Sequence, residues 1–438
     1  MQYVLDKTIM KQLREQLELT PSTLDLNGSL TYEKPEKRKR KYDETDFKRD
    51  VLPCVIKLIK VDANLEELML GSNNLYSSDI ERLCIILQTN RTLKKLDLNN
   101  NNHFGTTGYQ HIAQMLMTNE HLQDLKLSNG IMFDDGVTLI MEALVSNTAL
   151  KYIDISSNKI SPLDALRIHN MLLKNKHLAS VNMEINYIGD GGATWIAEAL
   201  EKNNSLKNIK LGWNNLLDDA AMAFAKMLRV NNSLEALNLK CNKFSAGAMQ
   251  TFAEALKINT GLVELNVINA IDTEGAIHIC EALKSNTTLK KLSLRANNIK
   301  GAAKSIASML ACNTLTEIDI AFCWFDATDV EHVCRAIETN TSLKTIDVEC
   351  SKCATDELCR NALKANTTFI SSDVDDGRRL ATRNIRFQKY VREEKINLLL
   401  SLKKSDVIMP WHIQKQFFTF VTTAKYRLCP SDLRIWDE

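Results

Sequence analysis

The string Asn-x-x-Leu-x-x-Leu-x-Leu-x-x-Asn returns along most of the chain, and no other feature constrains the fold as tightly. Its first leucine stands at Leu65, Leu93, Leu122, Leu150, Leu178, Leu206, Leu234, Leu262, Leu289, Leu315 and Leu343, which gives eleven units at intervals of 26 to 29 residues, mostly 28. Within one unit, Leu206, Ile209 and Leu211 carry the apolar alternation of a strand, and Ala221, Phe224, Ala225, Met227 and Leu228 recur at helical spacing. Each unit reads strand, turn, helix. A three-residue strand and a three-turn helix cannot bury an apolar face alone, whereas stacked copies share one sheet backed by helices. The expected fold class is α/β: a right-handed solenoid, or horseshoe, with a parallel concave sheet, convex helices and a helical C-terminal cap or tail.

Two ladders of asparagine accompany the leucines. The first, eight residues after each first leucine (Asn73, Asn101, Asn158, Asn186, Asn214, Asn242, Asn297), is expected to point inward, since an amide that donates and accepts can satisfy backbone groups at a sharp turn. The unit at Leu262 carries Ala270 at this place, which predicts a loosened or bent stack there. The second ladder, three residues before each first leucine (Asn119, Asn147, Asn175, Asn203, Asn231 and others), falls where each helix must end. Asparagine tolerates the left-handed conformation of a helix C-cap, so this ladder is expected to do the turning. That expectation accounts for the presence of only 15 Gly and 6 Pro in 438 residues.

These residues resemble those of leucine-rich-repeat proteins of the ribonuclease-inhibitor-like subfamily. The resemblance covers roughly residues 64–366 and implies units of 28 to 29 residues with true α-helices. It also implies binding of another macromolecule on the horseshoe, whether by an inhibitor, an immune sensor, a regulator of a small GTPase or an effector. Fold alone does not choose among these.

The chain divides into an N-terminal cap over 1–63 with a basic insertion at 31–50, the array over 64–368, and a basic helical cap or tail over 369–438. Leu24-Asp25-Leu26 reads as a degenerate first strand, and residues 51–61 as its helix. The insertion holds eight basic and six acidic residues and reads as a mobile loop. Lys37, Arg38, Lys39, Arg40 and Lys41 inside it resemble a nuclear import signal that an import receptor's acidic groove can grip; the plain alternative is a solvated loop. Past Asp375 the chain carries a net charge of +6 against −6 for residues 51–375, so a total of +1 hides an acidic array and a basic tail. The tail reads as a helical cap, and the Pro410-Trp411-His412-Ile413 opening of its second helix is similar to F-box-like helices that recruit ubiquitin ligases.

No phosphate-cradling Gly-x-x-x-x-Gly-Lys-Ser/Thr loop, Gly-x-Ser-x-Gly elbow or His-Glu-x-x-His helix occurs. The reading is therefore of a non-enzymatic, cofactor-free protein. Cys350, Cys353, Cys359 and Cys323 are the one grouping with metal-like spacing, but Cys323 stands at a ladder position, so a core role is preferred and no metal site is assigned. Without an apolar run of about 18 residues or a signal-peptide core, no membrane span or export is expected. A near-neutral total gives no specific signal for nucleic acid. The expectation is a monomer in the cytoplasm, with nuclear entry if the basic run functions.

If binding uses the concave sheet, the partner meets the side chains that alternate with the buried leucines. Lys95, Lys126, Lys210 and Lys240 lie toward the first two thirds, and Glu317, Asp319, Asp347 and Glu349 lie at the end. Large or planar side chains at outward places are the sharpest anomaly: Tyr152 two residues after its leucine, Trp213 and Phe322 seven after, Trp324 nine after, and Arg295 six after. With Lys210, Asp319 and Asp347 they form the expected partner-binding set. The alternative is that Phe322 and Trp324 fold inward to fill space left by the shortened unit before Leu315.

Overall fold

The computed structural model describes residues 13, 22–27, 31–33, 39–41, 51–61, 64–132, 134–348 and 362. The chain separates into two compact units, Met1–Ile370 and Ser371–Glu438, and every described residue lies in the first. The basic tail, with the F-box-like opening, Cys350, Cys353 and Cys359, lies outside the described residues.

Twelve strands of three residues each form one parallel sheet whose spatial order follows chain order, from Thr23–Asp25 to Thr345–Asp347. The degenerate strand at Leu24 is the first, and the eleven units supply the rest. Register is constant: Leu24 pairs with Leu68, and the middle residues of the next strands, Leu96, Leu125, Ile153, Val181, Ile209, Leu237, Leu265, Leu292, Ile318 and Ile346, continue the row. From Leu24 to Ile318 these middle residues are buried, so one face of every strand feeds one continuous core. Helices of 8 to 14 residues follow ten of the strands, from Ser77–Leu87 to Ala327–Thr339. Neighbouring strands lie about 4.8 Å apart while packed helices need about 8–10 Å, so the sheet takes the inner side of the curve. The fold is thus an open α/β solenoid.

The first asparagine ladder works as the sequence predicts. Asn101 Oδ1 accepts the N–H groups of Asn73 and Leu75, both at 3.1 Å, and its Nδ2 donates to the carbonyls of Leu70 at 3.0 Å and Leu98 at 2.9 Å. One buried side chain thereby ties three places in two units. Cys323 fills the same place, its thiol donating to the Leu294 carbonyl at 3.2 Å, so this sulfur is committed within the core.

The second ladder corrects the sequence reading. Asn119, Asn175, Asn259 and Asn340 end their helices with φ of −79°, −71°, −70° and −71°, in the extended region rather than the left-handed one. Their side chains do the work: Asn119 Oδ1 accepts the N–H groups of His121 and Leu122, while Nδ2 donates to the Leu87 carbonyl one unit back. The left-handed turn lies instead seven residues after the first leucine in the ten units from Leu65 to Leu315. Ser72, Asn100, Asn129, Ser157, Ile185, Trp213, Cys241, Asn269, Ala296 and Phe322 all have φ between 46° and 60°.

Two further readings are revised. Ala270 does not interrupt the stack, because its own carbonyl accepts the Phe244 N–H at 2.9 Å and its N–H donates to Asn297 Oδ1 at 2.8 Å. The strands on either side keep register, Leu237 with Leu265 and Leu265 with Leu292. Within the basic insertion read as a loop, Thr31–Glu33 pairs antiparallel with Lys39–Lys41, since alternating backbone donors and acceptors close a short ribbon. Lys39, Arg40 and Lys41 are thus strand residues, and Lys37 and Arg38 lie outside the described residues.

Candidate protein-binding face

The inner face of the sheet is built by the residues two, four and six places after each first leucine, because their neighbours on the strand turn into the core. Much of its charge is already paired between adjacent strands. Lys95 meets Glu67 at 2.6 Å, Lys126 meets Asp97 at 3.6 Å and Lys291 meets Glu317 at 3.1 Å. These pairs damp the charge gradient expected from sequence. The Lys95 and Lys291 pairs are largely exposed and each contributes at most about 1 kcal/mol, while Asp97 in the third pair is buried.

Three centres stand out along the face. At the first, Tyr152 is half-buried beside Asp124 on the preceding strand and Asp154 on its own strand, and its hydroxyl donates to Asp154 Oδ2 at 3.4 Å. Burial pushes the Tyr152 phenol up, and the two carboxylates add to the shift. Burial likewise raises the Asp124 carboxyl, opposed by Lys126 and Lys95 and reinforced by Asp97 and Asp154.

At the second centre Lys210 sits two strands further along, about 10 Å away at sheet spacing. It makes no ion pair among the described residues. Beside it Lys240 meets Glu184 at 3.1 Å, and Asn238 Nδ2 donates to the same Glu184 oxygen at 3.0 Å. Trp213 follows at the rim of the sheet in the left-handed conformation, φ 58°. A bulky residue there is strained by about 1–3 kcal/mol, and seven other units make the same turn with Ser, Asn, Cys or Ala.

The third centre gathers four of the expected residues. Arg295 is buried: its guanidinium meets Asp347 at 2.9 Å and Asp319 at 3.4 Å, and stacks 4.7 Å from the centre of the Phe322 ring. The guanidinium expected at the surface is thus enclosed by its own array, where it holds Phe322. Phe322 itself is 41% exposed and Trp324 57% exposed, both left-handed with φ of 59° and 60°. They do not fold inward; Cys323 between them does. Tyr152, Lys210 and the Arg295 group lie on separate strands and do not converge on one pocket.

Sequence reasoning placed Lys240 on the face but missed Glu184 and Ile185. Ile185 occupies the turn position of Trp213 and Phe322, so reading that column in full finds it. The Glu184–Lys240 pair joins residues two units apart, beyond the reach of column reading.

Comparison with known proteins bears on the repeat and on similarity to curated proteins over part of the chain. Residues 89–113 and 230–253 match the Leucine Rich repeat family model. A protein phosphatase 1 regulatory subunit 37 homolog of Caenorhabditis briggsae is 30% identical over 120 residues, 26% of this chain and 13% of the relative. Its Caenorhabditis elegans counterpart is 31% identical over 111 residues, 24% of this chain and 12% of the relative. The chain therefore matches about an eighth of the length of these curated relatives. Among solved structures, the Rad7 and Elc1 complex in yeast is similar over 68% of this chain and 72% of its own, at 16% identity and a TM-score of 0.48.

Proposed function

We propose that the array is a non-enzymatic scaffold that docks a partner protein against the inner sheet face, with Tyr152, Lys210, Trp213, Asp319, Phe322, Trp324 and Asp347 at the contact and Arg295 positioning the last group. The observation that carries this reading is the pairing of Lys210, which makes no ion pair among the described residues, with Trp213, an interface-type aromatic held at the rim of the same strand in a strained turn. The 28-residue units with helices of up to 14 residues support the ribonuclease-inhibitor-like subfamily. Protein phosphatase 1, named in the matched relatives, is the candidate partner.

Purified chain titrated into protein phosphatase 1 by calorimetry tests this. Lys210→Glu/Trp213→Ala is expected to weaken binding about 100-fold, the loss of two central contacts. Unchanged affinity in that variant would remove the sheet face, and no binding by the unaltered chain would remove the phosphatase. Nuclear entry through residues 37–41 belongs to the same proposal: alanine at all five positions should abolish nuclear accumulation of a tagged chain. Recruitment of a ubiquitin ligase by the tail and regulation of a small GTPase have no observation in their favour among the described residues.

A further inference from the structure

The segments that lead from each helix back to the next strand line one edge of the array, and in the five units from Leu150 to Leu262 this edge is cationic. From six residues before each first leucine to one after, it holds seven Lys and Arg against two carboxylates, Glu201 and Glu235. One further helical turn adds Lys226 against Glu142, Glu198 and Glu254 and still leaves a cationic excess of three. Three of these carboxylates have cations of their own: Glu235 meets Lys207 at 3.0 Å, Glu201 meets Lys226 at 2.9 Å and Glu254 meets Lys257 at 2.5 Å. Lys174, Lys176, Lys202 and Arg229, in three consecutive units, are exposed and make no ion pair or side-chain hydrogen bond among the described residues.

Helix capping does not take up these cations. A lysine near a helix C-terminus can bond the unpaired last carbonyls, but here the second asparagine ladder holds them. Asn175 Nδ2 donates to the Leu144 carbonyl at 2.6 Å, Asn203 to Leu172 at 2.7 Å, Asn231 to Leu200 at 2.6 Å and Asn259 to Leu228 at 2.8 Å. The same bonds fix the edge, so its charges face solvent from a rigid support. Apolar side chains continue the row. Four residues before the first leucine, successive units carry Lys174, Lys202, Val230 and Ile258. Val230 is 58% exposed and Ile258 57%, with Val263 in the same unit as Ile258 at 37%. Helices packed about 8–10 Å apart give this row a length of roughly 25–30 Å, which an extended segment of about eight or nine residues spans.

We infer that this edge docks an extended acidic segment of a partner protein, its carboxylates meeting Lys174, Lys176, Lys202 and Arg229 and its aliphatic side chains lying over Val230 and Ile258. The cationic excess selects an anion, and two features select a peptide over nucleic acid. The edge carries no Phe, Tyr or Trp on which bases could stack. Residues 51–375 sum to −6, so a long polyanion meets repulsion beyond the edge that a short segment escapes. This surface goes beyond the sheet-face reading and shares none of its residues, so either can fail without the other.

A random-peptide phage library panned on the full chain carrying Lys210→Glu/Trp213→Ala tests this, because that bait lacks the central contacts of the sheet face. Selected peptides are then measured on the same bait with Lys174→Glu/Lys202→Glu or with Val230→Ser/Ile258→Ser added. These side chains are exposed, so both edge variants should melt within a few degrees of the bait. The expected result is enrichment of peptides that combine Asp and Glu with aliphatic residues and bind each edge variant about tenfold more weakly or worse. The gap between the bait and the charge variant should widen as salt is lowered. No enrichment, enrichment of neutral or basic peptides, or peptides that bind either edge variant as tightly as the bait overturns the site. Binding of a twenty-nucleotide oligothymidine that falls on the charge variant and holds on Val230→Ser/Ile258→Ser overturns the peptide occupant in favour of nucleic acid. None of these outcomes touches the sheet-face reading, which the phosphatase titration tests on its own.

Discussion

Lys240 reaches past Gly212 to set its ammonium 3.1 Å from the carboxylate of Glu184, two units back in the array. The strand between them leaves room because it carries no side chain at this place: a Cβ on Gly212 would stand 2.6 Å from Lys240 Cγ and 3.0 Å from Glu184 Oε1. The glycine is thus required by a close approach and not by a turn. Gly212→Ala should uncouple the pair. In a double-mutant cycle of Glu184→Gln and Lys240→Met, the coupling of about 1 kcal/mol expected for a partly buried pair should fall to near zero when Gly212 is alanine. A coupling that survives the alanine would show that the pair does not depend on this gap.

Asn186 offers a test of the inner ladder. Its Oδ1 accepts the N–H groups of Asn158 at 2.9 Å and Ile160 at 3.0 Å, and its Nδ2 donates to the Met183 carbonyl at 2.9 Å. Asn186→Ala leaves two buried donors and an acceptor unmet and should cost about 2–4 kcal/mol in chemical denaturation. Asn186→Cys should lose less, because a thiol at the equivalent Cys323 keeps the donor bond to the carbonyl one unit back.

How much of this was legible in the sequence follows from the range of the forces involved. The leucine columns and the inner asparagines repeat because each meets its own copy one unit away, so a one-dimensional period encodes a three-dimensional contact. Backbone conformation is encoded less directly. The second ladder carries a residue compatible with the left-handed region, yet Asn119 is extended and Trp213, a poor residue for that region, is left-handed. Side-chain bonding of Asn119 to His121 and Leu122 outweighs its conformational tolerance, and stacking on the next unit holds the turn at Trp213 despite its bulk. At the candidate face, outward aromatics were readable one by one. The enclosure of Arg295 was not, since it depends on Asp347 two units on.

The buried thiols set an alkaline limit on stability. Burial pushes Cys84, Cys280 and Cys323 up to about 12, whereas an unfolded thiol ionises near its ordinary value of 9.0. Between those values the folded chain retains protons that the unfolded chain has lost, so stability is fully present below about pH 9 and falls as pH rises toward 12. Thermal melts across that window should show a declining midpoint, with a shallower slope in Cys280→Ala. An unchanged slope would mean that this thiol ionises equally in both states. At pH 8 the exposed Cys312 should react with a thiol reagent while Cys84, Cys280 and Cys323 stay protected.

Arg295 allows the third centre to be tested for structure and for contact separately. Its guanidinium lies between Asp319 and Asp347 under the Phe322 ring, with 8% of its side chain exposed. Burial raises the Asp319 carboxyl, Arg295 pulls it down, and Asp347 pushes it up, with the balance upward. Arg295→Met removes the cation and leaves the half-enclosed carboxylates facing each other, which should cost about 3 kcal/mol at neutral pH. The Asp319 carboxyl then rises further above its unfolded value, so the folded chain holds its proton more firmly than the unfolded one. The stability linked to that proton is present below the ordinary carboxylate range and lost as pH rises through the folded value. The variant's deficit should therefore shrink on acidification toward pH 4, and Asp319→Asn in the same chain should recover part of it at pH 7. A deficit independent of pH would assign the loss to Phe322 packing instead. Phe322→Ala with Arg295 intact completes the separation: partner affinity should fall while the pH dependence of unfolding stays as in the unaltered chain.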